Sequence, residues 1–300
     1  MFQVRPARAG DLEAVMGIVE RSTNDLRAKH GFAPKMLPGG IPGFEAFSLE
    51  DDPRGFWVAE SGKDIVGYGF SWVCGDFWFL ADLFVDPISQ NRRIGKTLLG
   101  KTFEHADLME ASHRALITFA YNSVATGLYV RHGLFPHVPL YILSGTSRLI
   151  SSHLVGSDCW CVAVEPGLQS IDMLGRIDED ALGFRRDKHH AFNIASEAAS
   201  AFLIQRQGSN IGYAYVSSGG HVGPVALLDV SVSAEAVTSV LRHTIELGAE
   251  QVSMIVPGPA DRCMAAAVDC GLRISEPLVL LASHPFGDWR RYLPRDPGYM

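Results

Sequence analysis

The stretch LADLFVDPISQNRRIGKTLLG, residues 80–100, gives the clearest indication of the fold. Its first six residues are mostly apolar, with aromatic and β-branched side chains, and they predict a buried strand. Pro87 ends this strand, because proline has no N–H to donate to a neighbouring strand. An amphipathic segment over 96–110 follows Gly95 and predicts a helix. The residues therefore predict a strand, a tight polar loop and a helix in succession.

The loop between this strand and this helix is suited to hold a phosphate group. The first N–H groups of a helix have no partner within it, and the helix dipole adds partial positive charge at that end. Arg92, Arg93 and Lys96 add full positive charges at the same place. We therefore expect backbone amides and basic side chains to hold a pyrophosphate here. The alternative is an ordinary basic helix start that faces solvent.

The loop Gln90-Asn91-Arg92-Arg93-Ile94-Gly95 resembles the Gln/Arg-x-x-Gly-x-Gly/Ala signature of the GNAT superfamily of acyl-CoA N-acyltransferases. The lead-in Val85-x-Pro87 and the pair Leu98-Leu99 also stand where that family has them. Arg93 departs from the signature, because it stands in the place of the first glycine. The resemblance implies a mixed α/β fold and acetyl-CoA as the acyl donor.

The resemblance also implies which residues bind acetyl-CoA. The end of the strand, the loop and the start of the helix supply most of them. Of the other two, Asn122 directly precedes a helix predicted over 123–132 and Tyr129 lies within it. The expected acetyl-CoA-binding residues are Leu83, Phe84, Val85, Gln90, Asn91, Arg92, Arg93, Ile94, Gly95, Lys96, Thr97, Asn122 and Tyr129.

The helix predicted over 123–132 carries the expected general acid. Asn122, Ala125 and Tyr129 share one face of it, because they are three and seven residues apart. In the GNAT family an Asn at this place contacts the pantetheine arm, and a Tyr protonates the departing thiolate. Tyr129 would then be the general acid, and a strand-end N–H near Val85 would bind the oxyanion. The alternative for Tyr129 is a tyrosine at the edge of the core with its hydroxyl in water.

Asp82 is the candidate general base. It lies three residues before Val85 on the predicted strand, so its side chain faces the opposite side and can face the cleft. The alternatives are an aspartate in an ion pair or a helix cap, and an amine that loses its proton to water. His105, on the helix, is expected to face solvent. His30 and Glu45 lie in an irregular segment, 27–55, and are candidate substrate contacts.

The second half of the chain repeats the element order of the first half, which predicts two tandem copies of one α/β fold. In the first half, strands are predicted over 3–8, 56–60, 64–73, 77–85, 115–121 and 139–143, with helices over 11–20, 96–110 and 123–132. In the second half, strands are predicted over 203–207, 210–216, 222–230, 251–256 and 278–282, with helices over 233–247 and 260–270. The expected domains are 1–148 and 149–300, with 144–158 as a polar connector.

The two halves differ in the residues that could bind acyl-CoA. After Asp229 the second half continues as VSVSAEAVTSV, which contains no glycine and no basic residue. Counted back from the glycine that ends each last helix, Ala260 and Ala267 replace Asn122 and Tyr129. We therefore expect one acetyl-CoA site in the first domain and a degenerate second domain.

Length, charge and cysteine content limit the class of protein. Three hundred residues favour two domains, and no apolar segment is long enough to span a bilayer. The first residues carry charges and no signal region, which predicts a cytoplasmic protein. A net charge of −7 disfavours nucleic acid and is compatible with a cationic amine. Five cysteines without zinc spacing are expected to be free thiols.

Two further features of the sequence concern metal binding and docking. His189-His190, near Asp187 and His221, would point to different sides of a strand or loop, so no metal site is predicted. The aromatic and basic segment 286–300 is expected to dock on the other domain or on a second subunit, which would make the protein a homodimer.

The sequence thus predicts an N-acetyltransferase that transfers the acetyl group of acetyl-CoA to a primary amine of a small molecule. A peptide or protein amine is the less favoured acceptor. The alternatives are a non-catalytic acyl-CoA-binding sensor or scaffold, and a structural protein without a ligand.

Overall fold

The computed structural model of the chain describes residues 2–34, 43–196 and 199–300. These residues form two compact units. Unit 1 comprises 2–34, 43–135 and 281–284, and unit 2 comprises 136–196, 199–280 and 285–300. Unit 1 therefore contains residues 281–284 from the second half of the chain, and unit 2 contains residues 136–148, which were predicted to belong to the first domain. The domain boundary at 148 stays a prediction.

Unit 1 is built on a mixed sheet in which the strands follow one another in chain order. The strands are β1 (Gln3–Pro6), β2 (Phe56–Ser61), β3 (Asp64–Cys74), β4 (Phe77–Val85) and β5 (His113–Phe119). The first four pair antiparallel, and β5 is parallel to β4. The helices are α1 (Leu12–Lys29), α2 (Phe44–Asp51), α3 (Ile94–Leu108) and α4 (Ser123–Val130), with 3-10 turns at Ala9–Asp11, Pro53–Gly55 and Pro87–Ser89.

Glycines on β3 allow α3 to pack closely against the sheet. A Cβ placed on Gly67 would lie 3.2 Å from Ile94 and 3.4 Å from Leu98, both of which are buried. Successive side chains of a strand point to opposite faces, so the next residue along, Tyr68, lies on the other face. There it is fully buried. The helix therefore covers one face of unit 1 and leaves the Tyr68 face to other elements.

Unit 2 is built on a second mixed sheet, with the order β12-β6-β11-β10-β9-β8-β7 and with β13 paired to β10. The strands are β6 (Phe135–Thr146), β7 (Cys159–Ala163), β8 (Ala199–Arg206), β9 (Ser209–Ser217), β10 (His221–Leu227), β11 (Gln251–Pro257), β12 (Arg273–Ala282) and β13 (Tyr292–Leu293). The helices are α5 (Ser147–His153), α6 (Leu168–Leu182), α7 (Asp187–Ala195), α8 (Ser233–Glu246) and α9 (Asp261–Asp269), with a 3-10 turn at Val230–Val232.

The predicted repeat of one fold is confirmed in the backbone of the last helix of each copy. Asn122 precedes α4 with φ −80° and ψ 71°, and Ala260 precedes α9 with φ −82° and ψ 57°. Gly133 and Gly271 follow these helices with φ of 81° and 94°, the left-handed conformation typical of a glycine that ends a helix. The backbone is therefore repeated even where the side chains differ.

The strand that closes the first copy in sequence belongs to unit 2. β6 pairs antiparallel with β11 over seven residue pairs, from Leu140 opposite Pro257 to Thr146 opposite Gln251. In unit 1, the piece 281–284 contributes Ser283, whose N–H donates to the carbonyl of Arg114 at 2.8 Å. Unit 2 therefore includes the closing strand of the first copy, and unit 1 includes residues 281–284 of the second.

Three expectations about secondary structure were wrong. The segment 27–55 is not irregular throughout, because α1 continues to Lys29 and α2 spans Phe44–Asp51, while its residues 35–42 lie outside the described residues. The connector 144–158 contains the end of β6 and α5, whose start is capped by the Thr146 side chain accepting from the Leu149 N–H at 3.2 Å. His189-His190 lies on α7, not on a strand or loop.

The described part of the chain shows neither a membrane-spanning segment nor a metal cluster. Within residues 2–34, 43–196 and 199–300, no helix has both the length and the apolar character needed to cross a bilayer. Over the same residues, no three histidine, cysteine, aspartate or glutamate side chains are grouped to hold a metal ion.

Candidate functional site

Strands β4 and β5 separate and leave a fork in the sheet of unit 1. Their parallel pairing ends where Leu80 lies opposite Leu116, yet β4 continues to Val85 and β5 to Phe119. A register shift between β3 and β4 falls at the same point, next to Ala81. Such bulges bend a strand away from its neighbour. We call residues 81–85 and 117–119 the strand fork of unit 1.

Backbone amides of β4 point into this fork. The Asp86 N–H donates to the carbonyl of Val66 on the β3 side at 3.0 Å. Hydrogen-bonding direction alternates along a strand, so the N–H groups of Leu83 and Val85 face away from β3. The Val85 carbonyl agrees with this direction, because it accepts from the Ser22 hydroxyl at 3.1 Å. The N–H of Val85 therefore points into the fork, which is the direction that a donor to an oxyanion requires.

The loop after β4 adopts the glycine-type backbone although it lacks the glycine. Arg93 has φ 63° and ψ 11°, and Asn91 also has φ 63°. This left-handed region costs a non-glycine residue roughly 1–2 kcal/mol. The residue that departs from the GNAT signature therefore has a backbone conformation that glycine adopts without strain. The departure changes the side chain and leaves the path of the loop intact.

The start of α3 offers amides and cations to solvent. The first N–H to bond within the helix is that of Thr97, which donates to the carbonyl of Arg93 at 3.1 Å. No side chain caps the helix at Arg93. The amides of 94–96 precede that first bond, and Arg92, Arg93 and Lys96 are exposed beside them. This donor set fits a pyrophosphate.

Asp82 lies on the opposite face of β4 from Val85, as expected. The Val85 side chain packs against a cluster that contains Leu98 of α3. The Asp82 carboxylate accepts a hydrogen bond of 2.9 Å from the Tyr68 hydroxyl on the other face. Tyr68 also stacks on Phe84, with 5.8 Å between ring centroids. Asp82 is thus held by a buried phenol two residues beyond the point where the fork opens.

Tyr129 is electrostatically coupled to Asp82. The Tyr129 side chain is 5% exposed. Burial, and then the charge of Asp82, raise the pKa of Tyr129 above its ordinary value. The hydroxyl therefore keeps its proton throughout the neutral range and can donate a hydrogen bond. This is the state that a general acid or a thiolate-stabilising donor requires.

Glu45 adds a second carboxylate to the same region. Burial raises the pKa of Glu45, and a hydrogen bond from the backbone offsets only part of this effect. The charge of Glu45 contributes to the raised pKa of Tyr68, after burial and the charge and hydrogen bond of Asp82. The helix that carries Glu45 packs on the Tyr68 face of the sheet, because the Phe44 ring lies 6.0 Å from that of Phe70, two residues from Tyr68 on β3. Glu45 was also a candidate substrate contact in the sequence.

Asn122 caps the helix that carries Tyr129. Its side-chain oxygen accepts from the Ala125 N–H at 3.2 Å. The oxygen is thus engaged within the protein, so the amide nitrogen is the group that a pantetheine arm would meet. The cap also fixes the start of α4 and with it the position of Tyr129 two turns later.

An aromatic group that the sequence analysis missed lies where β5 ends. The Tyr121 ring stacks on Phe32 at 5.0 Å and on Phe119 at 5.1 Å between centroids. His30, one of the suggested substrate contacts, lies 4.9 Å from the same ring. These four rings, at 30, 32, 119 and 121, are called the aromatic wall. Because these residues lie in two segments far apart in sequence, no local sequence pattern predicts that their rings meet.

His105 does not face solvent, and that expectation was wrong. It is 2% exposed. Its ring nitrogens bond the Ser71 hydroxyl at 3.0 Å and the Asp52 carboxylate at 2.8 Å. The spacing of Ile94, Leu98 and His105 at intervals of four and seven residues places all three on the helix face that meets the sheet. His105 therefore joins α3 to β3 and lies outside the fork.

The corresponding helix start in unit 2 carries acidic groups. The Asp229 carboxylate accepts from the Ser231 N–H at 2.7 Å. Glu235, in the first turn of α8, pairs with Arg206 at 3.2 Å. At the cap position of α9 stands Ala260, and Ala267 is fully buried. A phosphate at this place would meet the carboxylates of Asp229 and Glu235. Arg206 is paired with Glu235, and Arg262 donates to the carbonyl of Ser231.

Comparison with known proteins agrees with this geometry. Residues 23–134 match the acetyltransferase (GNAT) family. This segment contains the fork, the basic loop and Tyr129. This part of the chain therefore belongs to the GNAT family, and the protein is an acyltransferase whose family uses acetyl-CoA as the acyl donor. No curated protein sequence matches the chain.

Solved structures with the same fold cover both units. The chain resembles a putative acetyltransferase from Pyrococcus horikoshii with a TM-score of 0.76 and 18% identity, over 100% of this chain and 96% of that one. A GCN5-related N-acetyltransferase from Sphaerobacter thermophilus gives 0.63 and 15%, over 96% and 97%. A tandem GNAT protein from the clavulanic acid biosynthesis pathway gives 0.62 and 14%, over 95% and 99%. The chain therefore has the tandem GNAT fold.

Proposed function

We propose that the protein transfers the acetyl group of acetyl-CoA to a primary amine of a small molecule, and that the reaction takes place in unit 1. One observation carries the proposal. The strand fork of unit 1 is followed by a basic helix start, and Asp82 with Tyr129 lies near the point where the fork opens. An anion cradle, an exposed strand edge and proton-handling groups are what acyl transfer from a long thioester requires.

The chain holds the donor through its backbone and three cations. The amides at the start of α3, with Arg92, Arg93 and Lys96, would bind the pyrophosphate. The edge of β4 over 83–85 would run beside the pantetheine arm, and the amide nitrogen of Asn122 would donate to it. Because these groups are fixed by strand and helix, the thioester is placed by the fold and not by flexible side chains.

Acetyl-CoA supplies a thioester whose carbonyl carbon is open to attack by an amine. The N–H of Val85 donates to the carbonyl oxygen as that oxygen gains charge. Asp82 accepts the proton that the amine must lose. Tyr129 donates its hydroxyl hydrogen to the sulfur as the bond to carbon breaks.

The acceptor is proposed to be a small amine because of the charges around the fork. Asp82 and Glu45 are half-buried carboxylates on the same face of the sheet. Such a pair attracts a protonated amine and disfavours an acidic substrate. The aromatic wall adds faces on which a cation can rest. A peptide or protein amine is the second choice as acceptor.

The proposed setting is the cytoplasm, with no nucleic acid as partner. All five cysteines are free thiols, as a reducing compartment favours. The net charge of −7 opposes binding to a polyanion. The compartment is tested by locating a tagged copy of the protein in fractionated cells.

The function is tested by measuring free thiol released from acetyl-CoA across a panel of small amines, peptides and an acetylatable protein. We expect release with at least one small cationic amine and slower release with peptides. Calorimetry with acetyl-CoA is run in parallel. Binding without thiol release from any amine would favour the alternative of an acyl-CoA sensor or scaffold, and absence of binding would contradict both.

A matched pair of tyrosine variants links the activity to the fork. Tyr129→Phe removes the hydroxyl near Asp82, and Tyr141→Phe makes the same change on β6 of unit 2. We expect Tyr129→Phe to lower turnover with little change in acetyl-CoA affinity, and Tyr141→Phe to leave both unchanged. Equal rates for the two variants would remove the role assigned to Tyr129.

A further inference from the structure

Unit 2 has a strand fork of its own, built from the corresponding strands. The parallel pairing of β10 with β11 ends where Val222 lies opposite Met254. The register between β10 and β9 shifts between Val222 and Val225, and β10 continues to Leu227 while β11 continues to Pro257. The same arrangement of parallel strands and a bulge opens the fork of unit 1. The edge of β10 over 225–227 therefore needs a partner.

The chain itself supplies that partner. β13 pairs antiparallel with β10, with Leu293 opposite Val225 and Tyr292 opposite Ala226. The Leu227 N–H then donates to the carbonyl of Arg291 at 2.9 Å. Tyr292 and Leu293 are both fully buried. We call residues 288–300 the C-terminal segment.

A second set of contacts holds the segment beyond β13. The Arg295 guanidinium donates to the carbonyl of Gly223 at 2.9 Å, and His221 bonds the carbonyl of Arg295 at 2.6 Å. Because a carbonyl only accepts, His221 donates from Nε2, and its Nδ1 accepts from the Ser253 hydroxyl at 2.8 Å. A Cβ on Gly223 would lie 2.9 Å from the Arg295 Cα, so only glycine allows the segment this close.

The last residues of the segment cover a buried ion pair. Arg186 pairs with Asp178 at 2.9 Å, and both side chains are almost completely buried. The guanidinium lies 5.3 Å from the centre of the Tyr292 ring and 5.8 Å from that of Tyr299, and it also donates to the main-chain oxygen of Met300. Without the segment, this charged pair would lose the groups that cover it.

We infer that the fork of unit 2 is a groove for an extended peptide, and that the C-terminal segment is its built-in occupant. The segment binds by strand addition, with main-chain bonds along β10 and side-chain anchors at 292, 293 and 295. It takes the strand edge that the fork of unit 1 offers to acyl-CoA. Unit 2 is thus a peptide-binding version of the fold, and this holds whether or not unit 1 transfers acetyl groups.

The inference is tested on the full chain by displacing the segment with single substitutions. Leu293→Asp places a charge in the buried strand, and Arg295→Ala removes the bond to Gly223. Arg290→Ala is the matched control, because this arginine is exposed and bonds Asp288 within the segment. Hydrogen exchange of the β10 amides at 225–228 is followed by mass spectrometry, together with that of β4 in unit 1.

We expect exchange at 225–228 to rise roughly tenfold or more in Leu293→Asp and less in Arg295→Ala, with no change in β4 or in the control. A labelled peptide of residues 288–300 should bind Leu293→Asp and not the unsubstituted chain. If Leu293→Asp does not fold, the exchange of the amides at 225–228 in Arg295→Ala tests the inference. Unchanged exchange at 225–228 in Arg295→Ala would overturn the inference. A second equivalent of acetyl-CoA bound by a folded Leu293→Asp chain would also overturn it, because the groove would then accept acyl-CoA.

Discussion

Replacing Arg93 by glycine should stabilise unit 1, and the expected size of the effect follows from the backbone. Arg93 holds φ 63° and ψ 11°, a conformation that costs a residue with a Cβ roughly 1–2 kcal/mol. Glycine removes this cost, but it adds about 0.4–1 kcal/mol of chain entropy to the unfolded state. The net gain in the free energy of unfolding should therefore be about 0.5–1 kcal/mol.

The matched comparison is Arg93→Ala, which removes the same guanidinium and keeps a Cβ. Both variants lose one exposed cation from the pyrophosphate cradle, so both should bind acetyl-CoA more weakly, by about threefold to tenfold in the dissociation constant. The difference between them isolates the backbone. Arg93→Gly should be the more stable by about 1 kcal/mol and should bind acetyl-CoA at least as well as Arg93→Ala.

The assay is urea unfolding followed by fluorescence, with the slope of the transition compared between variants. Acetyl-CoA affinity is measured by calorimetry at the same pH and salt concentration. If Arg93→Gly is no more stable than Arg93→Ala, the left-handed backbone at Arg93 is not a strained feature of the loop. If neither variant weakens acetyl-CoA binding, the loop does not hold the pyrophosphate.

Three further predictions concern the proton-handling groups and the number of sites. Tyr68→Phe should move the acid limb of the pH profile of kcat/KM to higher pH, because the Asp82 carboxylate loses a hydrogen bond that favours its charged form; an unmoved profile would argue against Asp82 as the base. Glu45→Gln should stabilise the protein at pH 7 and have little effect below pH 4.5, the ordinary pKa of the group. Burial raises the pKa of Glu45 in the folded state, so ionisation of this carboxyl lowers the free energy of unfolding as pH rises. Urea unfolding at pH 7 and below pH 4.5 checks the sign of the effect. Calorimetry should give one acetyl-CoA per chain, and a stoichiometry of two would refute the loss of the site in unit 2.

Local signals made the central part of unit 1 predictable from its residues. The predicted strand 77–85 coincides with β4, and the helix predicted over 96–110 is shifted by two residues from α3. Both ends of the loop are marked by residues with fixed backbone effects, Pro87 and Gly95. The repeat was equally visible, because strands, helices and closing glycines recur in the same order. These features depend on residues that are close in sequence, so one sequence is enough to predict them.

The elements that were missed depend on contacts between distant segments or have an atypical composition. α2 and α5 are short and rich in polar residues, so they show little apolar periodicity. The helix α6 does carry an apolar stripe at Leu174, Ile177 and Ala181, which a search at helical spacing would have found. β13 is two residues long and exists because β10 offers an edge. No local pattern distinguishes such a strand from a loop.

The candidate site shows the same division between local and distant information. The loop, Asn122 and Tyr129 could be named because the GNAT resemblance implies their roles and their spacing from a strand end or a glycine locates them. The hydrogen bond from Tyr68 to Asp82 and the aromatic wall could not, because their partners lie far apart in sequence. A sequence motif therefore locates the donor side of such a site better than the acceptor side.

The two forks show one physical requirement met in two ways. Where parallel strands separate, backbone donors and acceptors at the edge lose their partners, and a buried edge without partners is costly. In unit 2 the chain meets this requirement with β13, whose residues are buried and bonded to β10. In unit 1 the edge at Leu83 and Val85 continues into a loop of amides and arginines, which suits a ligand with an extended arm and an anionic end. The segment VSVSAEAVTSV of unit 2 carries no basic residue, and an internal strand pairs with its fork. We infer that unit 2 stabilises its fork with its own chain and not with a bound ligand.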